Sequence, residues 1–279
     1  MNIGLVQMAP EHSKCADEDL VERNINRAFE LVEQLMEQGS LDLVVFPEFV
    51  FTGPISTLKD LDSMVKDKVE DDIAIKALRA KAKELGIAFV APYWLRSDGK
   101  IFNCCALIDK KGEVLSEYSK VHLYPPEFKH LTGGSSLQIT SLPLDEGRVR
   151  IGLQVCYDLM FPEACRALAL QGAELIIYPT MCEDWLMDSF EPIARARAIE
   201  NQVYVVLVNS VGHHPRAGGK LSGRSLVATP EGEVFSLGEG ENVKLFNLNL
   251  EKITEVREKI SFISGRCPLS YGGLFDCKG

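Results

Sequence analysis

A carboxylate, an ammonium and a thiol stand at or just past the ends of strand-like runs: Glu48 after Leu43-Val44-Val45-Phe46-Pro47, Lys120 after Tyr118-Ser119, and Cys156 after Arg150 to Val155. Ligand sites in α/β sheets lie outside the carboxyl ends of strands. Together these groups suit attack on an amide, a poor electrophile with a poor leaving group. The thiolate is the attacking species, and an ordinary cysteine is mostly protonated at neutral pH. A nearby lysine ammonium favours the thiolate. A carboxylate can take the thiol proton and deliver it to the departing amine. Each residue also has a plainer reading: Glu48 as a solvated turn residue, Lys120 as surface charge, and Cys156 as a small buried thiol.

The cysteine stretch shows how such a site is held. An apolar run stops at Cys156, and Pro162 then stands where a first helical turn has no use for a backbone N–H. Small and apolar residues continue at helical spacing through Ala164, Leu168 and Ala169 to a stop at Gly172. A cysteine at a strand-to-helix junction sits at the rim of a sheet. There the backbone N–H groups of the following turn can face a developing oxyanion.

The remaining elements follow from periodicity and punctuation. Ile3 to Met8 reads as a strand. Val21, Ile25, Ala28, Val32 and Leu35 share one face of a helix spanning about Asp17 to Gln38. A strand at Leu43–Phe46, a helix from Asp72 to Leu85 and a strand at Ile87–Trp94 follow. Asp98-Gly99 and Lys111-Gly112 mark hairpins, and Tyr124 to Ser136 is a loop by composition. The second half repeats this order: a strand at Val149–Val155, a helix to about Leu170, a strand at Leu175–Tyr178, a helix from about Phe190 to Asn201, a strand at Val203–Asn209, then hairpins. Two such halves give two mixed sheets with helices outside, a single domain over residues 1–260. The tail, 261–279, reads as irregular, either packed at a subunit interface or simply frayed.

The segments around the three residues resemble the signature blocks of the nitrilase superfamily of carbon–nitrogen hydrolases. Leu43 to Glu48 resembles its glutamate block, Tyr118 to Leu123 its lysine block, and Gly152 to Glu163 its cysteine block. Arg197 to Val205, followed by Asn209, matches a further stretch common in the family. The resemblance implies an α/β four-layer α-β-β-α sandwich of two mixed sheets, a Cys156-Glu48-Lys120 triad, and a homodimer or larger homo-oligomer formed through helices. It also implies a second glutamate shortly after the lysine, and Glu127 is the best match. The oxyanion would meet the Lys120 ammonium and the Tyr157 backbone N–H. Glu48 would then activate water to cleave the thioester, with no metal or organic cofactor.

Substrate is less legible. Relatives acting on ω-amides of dicarboxylic acids commonly carry an arginine two residues beyond the aspartate of the cysteine block. Met160 stands there in this chain and suggests an apolar wall. In Met181-Cys182-Glu183-Asp184-Trp185, the Trp185 ring offers an apolar or cation–π surface, and Glu183 or Asp184 a carboxylate for an amine. Alternatively these acids form a solvated loop. His213-His214 reads as an exposed turn, since no carboxylate or cysteine completes a metal set.

Bulk properties narrow the field. The 279 residues are 46% hydrophobic and 25% charged, with net charge -10. An acidic chain argues against nucleic acid or an anionic membrane as main partner. No apolar run approaches the roughly 20 residues that span a bilayer. The eight cysteines show no C-x-x-C pair and include adjacent Cys104 and Cys105, so a reduced, cytoplasmic protein is expected. The expected activity is hydrolysis of a small amide to acid and ammonia. The alternatives are an N-carbamoyl-amine hydrolase or nitrilase using the same triad, and a non-catalytic binding subunit of the same fold.

Overall fold

The computed structural model describes residues 1–12, 18–53, 64–213 and 219–274. β1 (Asn2–Gln7) is followed by α1 (Glu18–Met36), β2 (Leu43–Val45), α2 (Ile73–Leu85), β3 (Ala88–Ser97), β4 (Lys100–Ile108) and β5 (Val114–Ser119). β6 (Ile139–Pro143) and β7 (Arg148–Leu153) lead to α3 (Pro162–Gln171), β8 (Leu175–Thr180), α4 (Asp184–Asn201) and β9 (Tyr204–Asn209). A ribbon of β10 (Val211–His213) and β11 (Lys220–Ser222) precedes β12 (Leu226–Ala228), β13 (Val234–Ser236), β14 (Asn242–Asn247) and α5 (Glu251–Lys259).

Two six-stranded mixed sheets result, in the orders β14-β1-β2-β3-β4-β5 and β13-β12-β9-β8-β7-β6. In each, three parallel strands sit in the middle: β1-β2-β3 in one sheet and β7-β8-β9 in the other. Antiparallel strands extend both sides.

Strand alternation builds the layers. Leu43 and Val45, Ala88 and Val90, and Cys105 and Leu107 join the core shared with Ile151, Leu153, Ile177 and Val206 of the second sheet. Their alternate neighbours Val44, Phe89, Cys104 and Ala106 pack with Val21, Ile25, Ala28 and Val32 of α1 and with Ile75 and Leu78 of α2. A sheet apolar on both faces must be covered on both. The α-β-β-α sandwich follows.

Local chemistry sets the helix ends. Asp72 caps α2, accepting the Ile75 N–H at 3.0 Å, and Gly86 ends it in the left-handed region at φ 68°. Pro162 opens α3, as its position suggested, and Gly172 closes it at φ 101°.

Several elements differ from the sequence reading. α4 begins at Asp184 rather than near Phe190 and carries Pro192 in its interior. Proline there removes one ladder bond, but Met187, Phe190, Ala194 and Ala198 keep an unbroken buried face. β14 leaves the second half to pair with β1, Asn2 opposite Asn247. The two halves are therefore interlocked. β6, the β10–β11 ribbon and α5 had no expectation attached. The tail carries short 3-10 turns at Pro268–Ser270 and Gly272–Leu274. The expected helix start at Asp17 and His214 lie outside the described residues. His213 ends β10 and is exposed.

Candidate active site

Glu48 lies three residues past β2, on a turn whose next residue, Phe49, has φ 58°. Lys120 directly follows β5. Its N–H donates to the Asn103 carbonyl at 2.8 Å, and its carbonyl accepts the Gly134 N–H at 2.8 Å. A Cβ at Gly134 would come within 2.2 Å of the Ser119 carbonyl oxygen, so only glycine lets that loop cross the end of β5. Cys156 lies three residues past β7 and opens a 3-10 turn, Cys156–Met160, at φ 47°. That left-handed conformation is disfavoured for a residue with a Cβ, and it persists only where the surroundings impose it.

The first two of these elements meet through hydrogen bonds. Lys120 Nζ lies 3.0 Å from Glu48 Oε1 and 2.9 Å from Glu127 Oε2. Asn103 on β4 donates through Nδ2 to Glu48 Oε1 at 2.7 Å and reaches Glu127 Oε1 at 3.4 Å. The Met181 N–H, just past β8, donates to Glu48 Oε2 at 3.1 Å. The Cys156 sulfur, at the opening of the neighbouring turn, feels the charges of both Glu48 and Lys120. Glu127 is oriented in turn by the Tyr124 N–H, 2.7 Å from Oε2.

Burial and charge set the protonation states. Burial pushes Glu48 above the usual carboxylate range, although Lys120 pulls it down. Burial alone would lower Lys120, but Glu48 and Glu127 outweigh it and hold the ammonium protonated. Cys156 is pushed well up by burial and then by Glu48, with Lys120 opposing. Lys120 favours the thiolate, as the sequence suggested, but burial and the Glu48 charge outweigh it.

The other expected contacts sit around this centre. The Tyr157 ring is edge-on to Tyr124 at 5.5 Å and to Phe161 at 5.4 Å. Met160 is half-buried against the core. Glu183 is the N-cap residue of α4. Its Oε2 accepts the Trp185 indole N–H at 2.7 Å, while its Oε1 is buried with no hydrogen-bond partner among the described residues. The Trp185 ring is 60% exposed. Asp184 lies 3.8 Å from Lys220. Burial raises the Tyr124 phenol, and Glu183, Cys156 and Tyr157 all add to that rise, so the four share one region.

Sequence reasoning missed Asn103, the Met181 N–H and the buried carboxylate Asp158. Asn103 had a readable signal, a lone polar residue inside Ile101-Phe102-Asn103-Cys104-Cys105-Ala106-Leu107-Ile108. A backbone N–H leaves no mark in a sequence. Among the described residues no group of three or more His, Cys, Asp or Glu side chains is arranged to hold a metal.

Known proteins with these features can now be compared. The carbon-nitrogen hydrolase family model matches residues 2–258. An omega-amidase of Xenopus tropicalis is 30% identical over 254 residues, covering 85% of this chain and 87% of its own. The human deaminated glutathione amidase is 30% identical over 276 residues, covering 91% of this chain and 80% of its own. A carbon-nitrogen hydrolase from Helicobacter pylori superposes with a TM-score of 0.85 at 23% identity, over 98% of each chain, and shows the same fold. An amidase from Nesterenkonia sp., 26% identical with a TM-score of 0.77 over 97% of this chain and 95% of its own, was solved with an acetamide moiety added covalently at its active-site cysteine.

Proposed function

The chain belongs to the carbon–nitrogen hydrolase family of the nitrilase superfamily, and from that footing we propose that it hydrolyses a small amide to a carboxylic acid and ammonia through a thioester on Cys156. The observation that carries this reading is the buried Glu48–Lys120 pair, held by Asn103 and the Met181 N–H, with both charges acting on the Cys156 thiol.

The steps balance with these groups alone. Glu48 takes the thiol proton as sulfur attacks the amide carbon. The oxyanion forms against the Lys120 ammonium and the Tyr157 backbone N–H; losing one such donor typically costs about 3–4 kcal/mol of transition-state stabilisation. Glu48 returns the proton to nitrogen, the C–N bond breaks and ammonia leaves. Glu48 then deprotonates water, hydroxide adds to the thioester, and the departing sulfur recovers the proton. Glu127 orients Lys120 throughout.

On the substrate side we assign Tyr157 and Met160 to the acyl wall, and Glu183, steadied by Trp185, to a polar or cationic substituent. Glu183 Oε1, buried with no donor among the described residues, supports this, because a buried carboxylate oxygen without a donor is costly. We read 1–260 as one hydrolase domain and 261–279 as a tail at a homodimer interface. Exposed Phe262 and Leu269 support that reading, and sedimentation would test it. The six described cysteines, all free, fit a reducing cytoplasm.

A panel of primary amides, N-carbamoyl amines and nitriles tests the reaction. Ammonia and acid from an amide, abolished in Cys156→Ser, are expected. Carbon dioxide release, or turnover of nitriles alone, would replace the amidase reading; turnover that survives Cys156→Ser would end it.

A further inference from the structure

Asp158 is fully buried, and a carboxylate withdrawn from water needs donors for its lone pairs. It has four. Oδ2 accepts the Tyr118 hydroxyl at 2.8 Å and the Val155 N–H at 2.9 Å. Oδ1 accepts the His122 backbone N–H at 2.8 Å and lies 2.8 Å from His122 Nδ1. An ionised carboxylate only accepts, so Nδ1 carries the imidazole proton.

The identity of the donors is what matters. Tyr118 and His122 stand two residues before and two residues after Lys120. Val155 is the residue before Cys156. One carboxylate thus ties both flanks of the lysine to the approach of the cysteine. The His122 ring also stacks on Phe161, centroids 3.7 Å apart and planes within 9°, at the far end of the turn that Cys156 opens. The left-handed Cys156 backbone is clamped from both sides.

We propose that Asp158 is a positioning residue that fixes the Cys156 thiol against the Lys120 ammonium. The inference rests on the hydrolase reading above for its kinetic consequence, and on the four hydrogen bonds for its geometry. Loss of the clamp lets the sulfur and the ammonium drift, and a misplacement of about 1 Å in a reacting pair costs roughly 100-fold in rate.

Asp158→Asn in the full chain tests it, because the amide NH2 replaces an acceptor where every neighbour donates. With an amide that the wild type hydrolyses, kcat should fall roughly 100-fold with KM within about threefold. Iodoacetamide alkylation of Cys156, followed by mass spectrometry, should slow by at least about tenfold, while exposed Cys267 is unaffected. Tyr118→Phe removes a single donor and should show a smaller loss in both readouts, which keeps the test open if Asp158→Asn fails to fold. Unchanged kcat and unchanged Cys156 alkylation per folded protein, with only a lowered melting temperature, would overturn the proposal. Cys156→Ser run in parallel separates the two failures: if it stays active, the hydrolase reading is wrong. If it is dead and the Asp158 and Tyr118 variants behave as wild type, only the clamp is wrong. Should the wild type turn over no amide, the alkylation rates alone decide the clamp.

Discussion

Lys120 Nζ lies 3.0 Å from Glu48 Oε1, and neither side chain is more than 2% exposed. Glu127 closes on the same ammonium at 2.9 Å. Two carboxylates share one cation out of contact with bulk water. Burying such ions carries a desolvation penalty of roughly several kcal/mol each, and removing one partner of a buried pair typically costs about 3–5 kcal/mol, so the arrangement is expensive to build and to break. On the hydrolase reading proposed above its use is electrostatic: it keeps an ammonium ready for an oxyanion, and it keeps Glu48 able to pick up and release a proton.

The pH dependence follows from those shifts. Glu48 acts as base only when ionised, and burial raises it above its usual 4.5. The acid limb of kcat/KM should therefore lie above the ordinary glutamate range. Lys120 is raised by Glu48 and Glu127 once burial is overcome, so no loss of activity from lysine deprotonation is expected below the usual 10.5. Initial rates across pH check both limbs. An acid limb at or below 4.5 would remove Glu48 as the base.

Asn103 offers a sharper test of the same group. Its Nδ2 donates to Glu48 at 2.7 Å and lowers the carboxyl toward ionisation. Asn103→Ala should weaken kcat by about tenfold to a hundredfold, the usual worth of a hydrogen bond to a charged group. The sign on pH is fixed as well: without the donor Glu48 rises further, and the acid limb moves to higher pH. A loss of rate with an unmoved limb would mean that Asn103 serves packing alone.

How much of this was readable beforehand depends on what each feature leaves in the sequence. The strand ends carrying Glu48 and Cys156 were legible because buried parallel strands are short apolar runs with abrupt stops; Lys120 follows an antiparallel edge strand of mixed polarity and was legible from its block resemblance. The two-sheet sandwich was legible from the repeated strand–helix order. The return of β14 to β1 was not, since its burial alternates too weakly to name a partner. The start of α4 was obscured by Pro192, a residue that usually marks a first turn. Lys120 pulls the Cys156 thiol down, as read from the sequence, but the net shift is upward. Burial and the Glu48 charge explain that, and neither the depth of burial nor the nearness of Glu48 is visible in the order of residues.

Away from the site, Asp72 makes a stability prediction. Burial lifts its carboxyl from the usual 3.8 to about 6, against the Ile75 and Ala74 backbone N–H groups and two lysines that lower it. A folded-state value above the unfolded one stabilises the protein fully below pH 3.8, and that contribution disappears as pH rises through about 6. At neutral pH the ionised, buried cap is a liability of about 2–3 kcal/mol. Asp72→Asn keeps an acceptor for the Ile75 N–H without the charge. It should melt higher than wild type at pH 7.5, and the gap should shrink at pH 4.5. A gap that does not change with pH would show that the Asp72 charge is not buried at a cost.

The thioester is the point on which the mechanism turns. The protein is mixed with a turned-over primary amide, quenched in acid during turnover, and digested for mass spectrometry. An acyl group, equal to the product acid less water, is expected on the peptide holding Cys156 and on no other cysteine, and it should be absent in Cys156→Ser. Steady turnover with no acyl adduct, or an adduct on Cys182 or Cys165 instead, would contradict it.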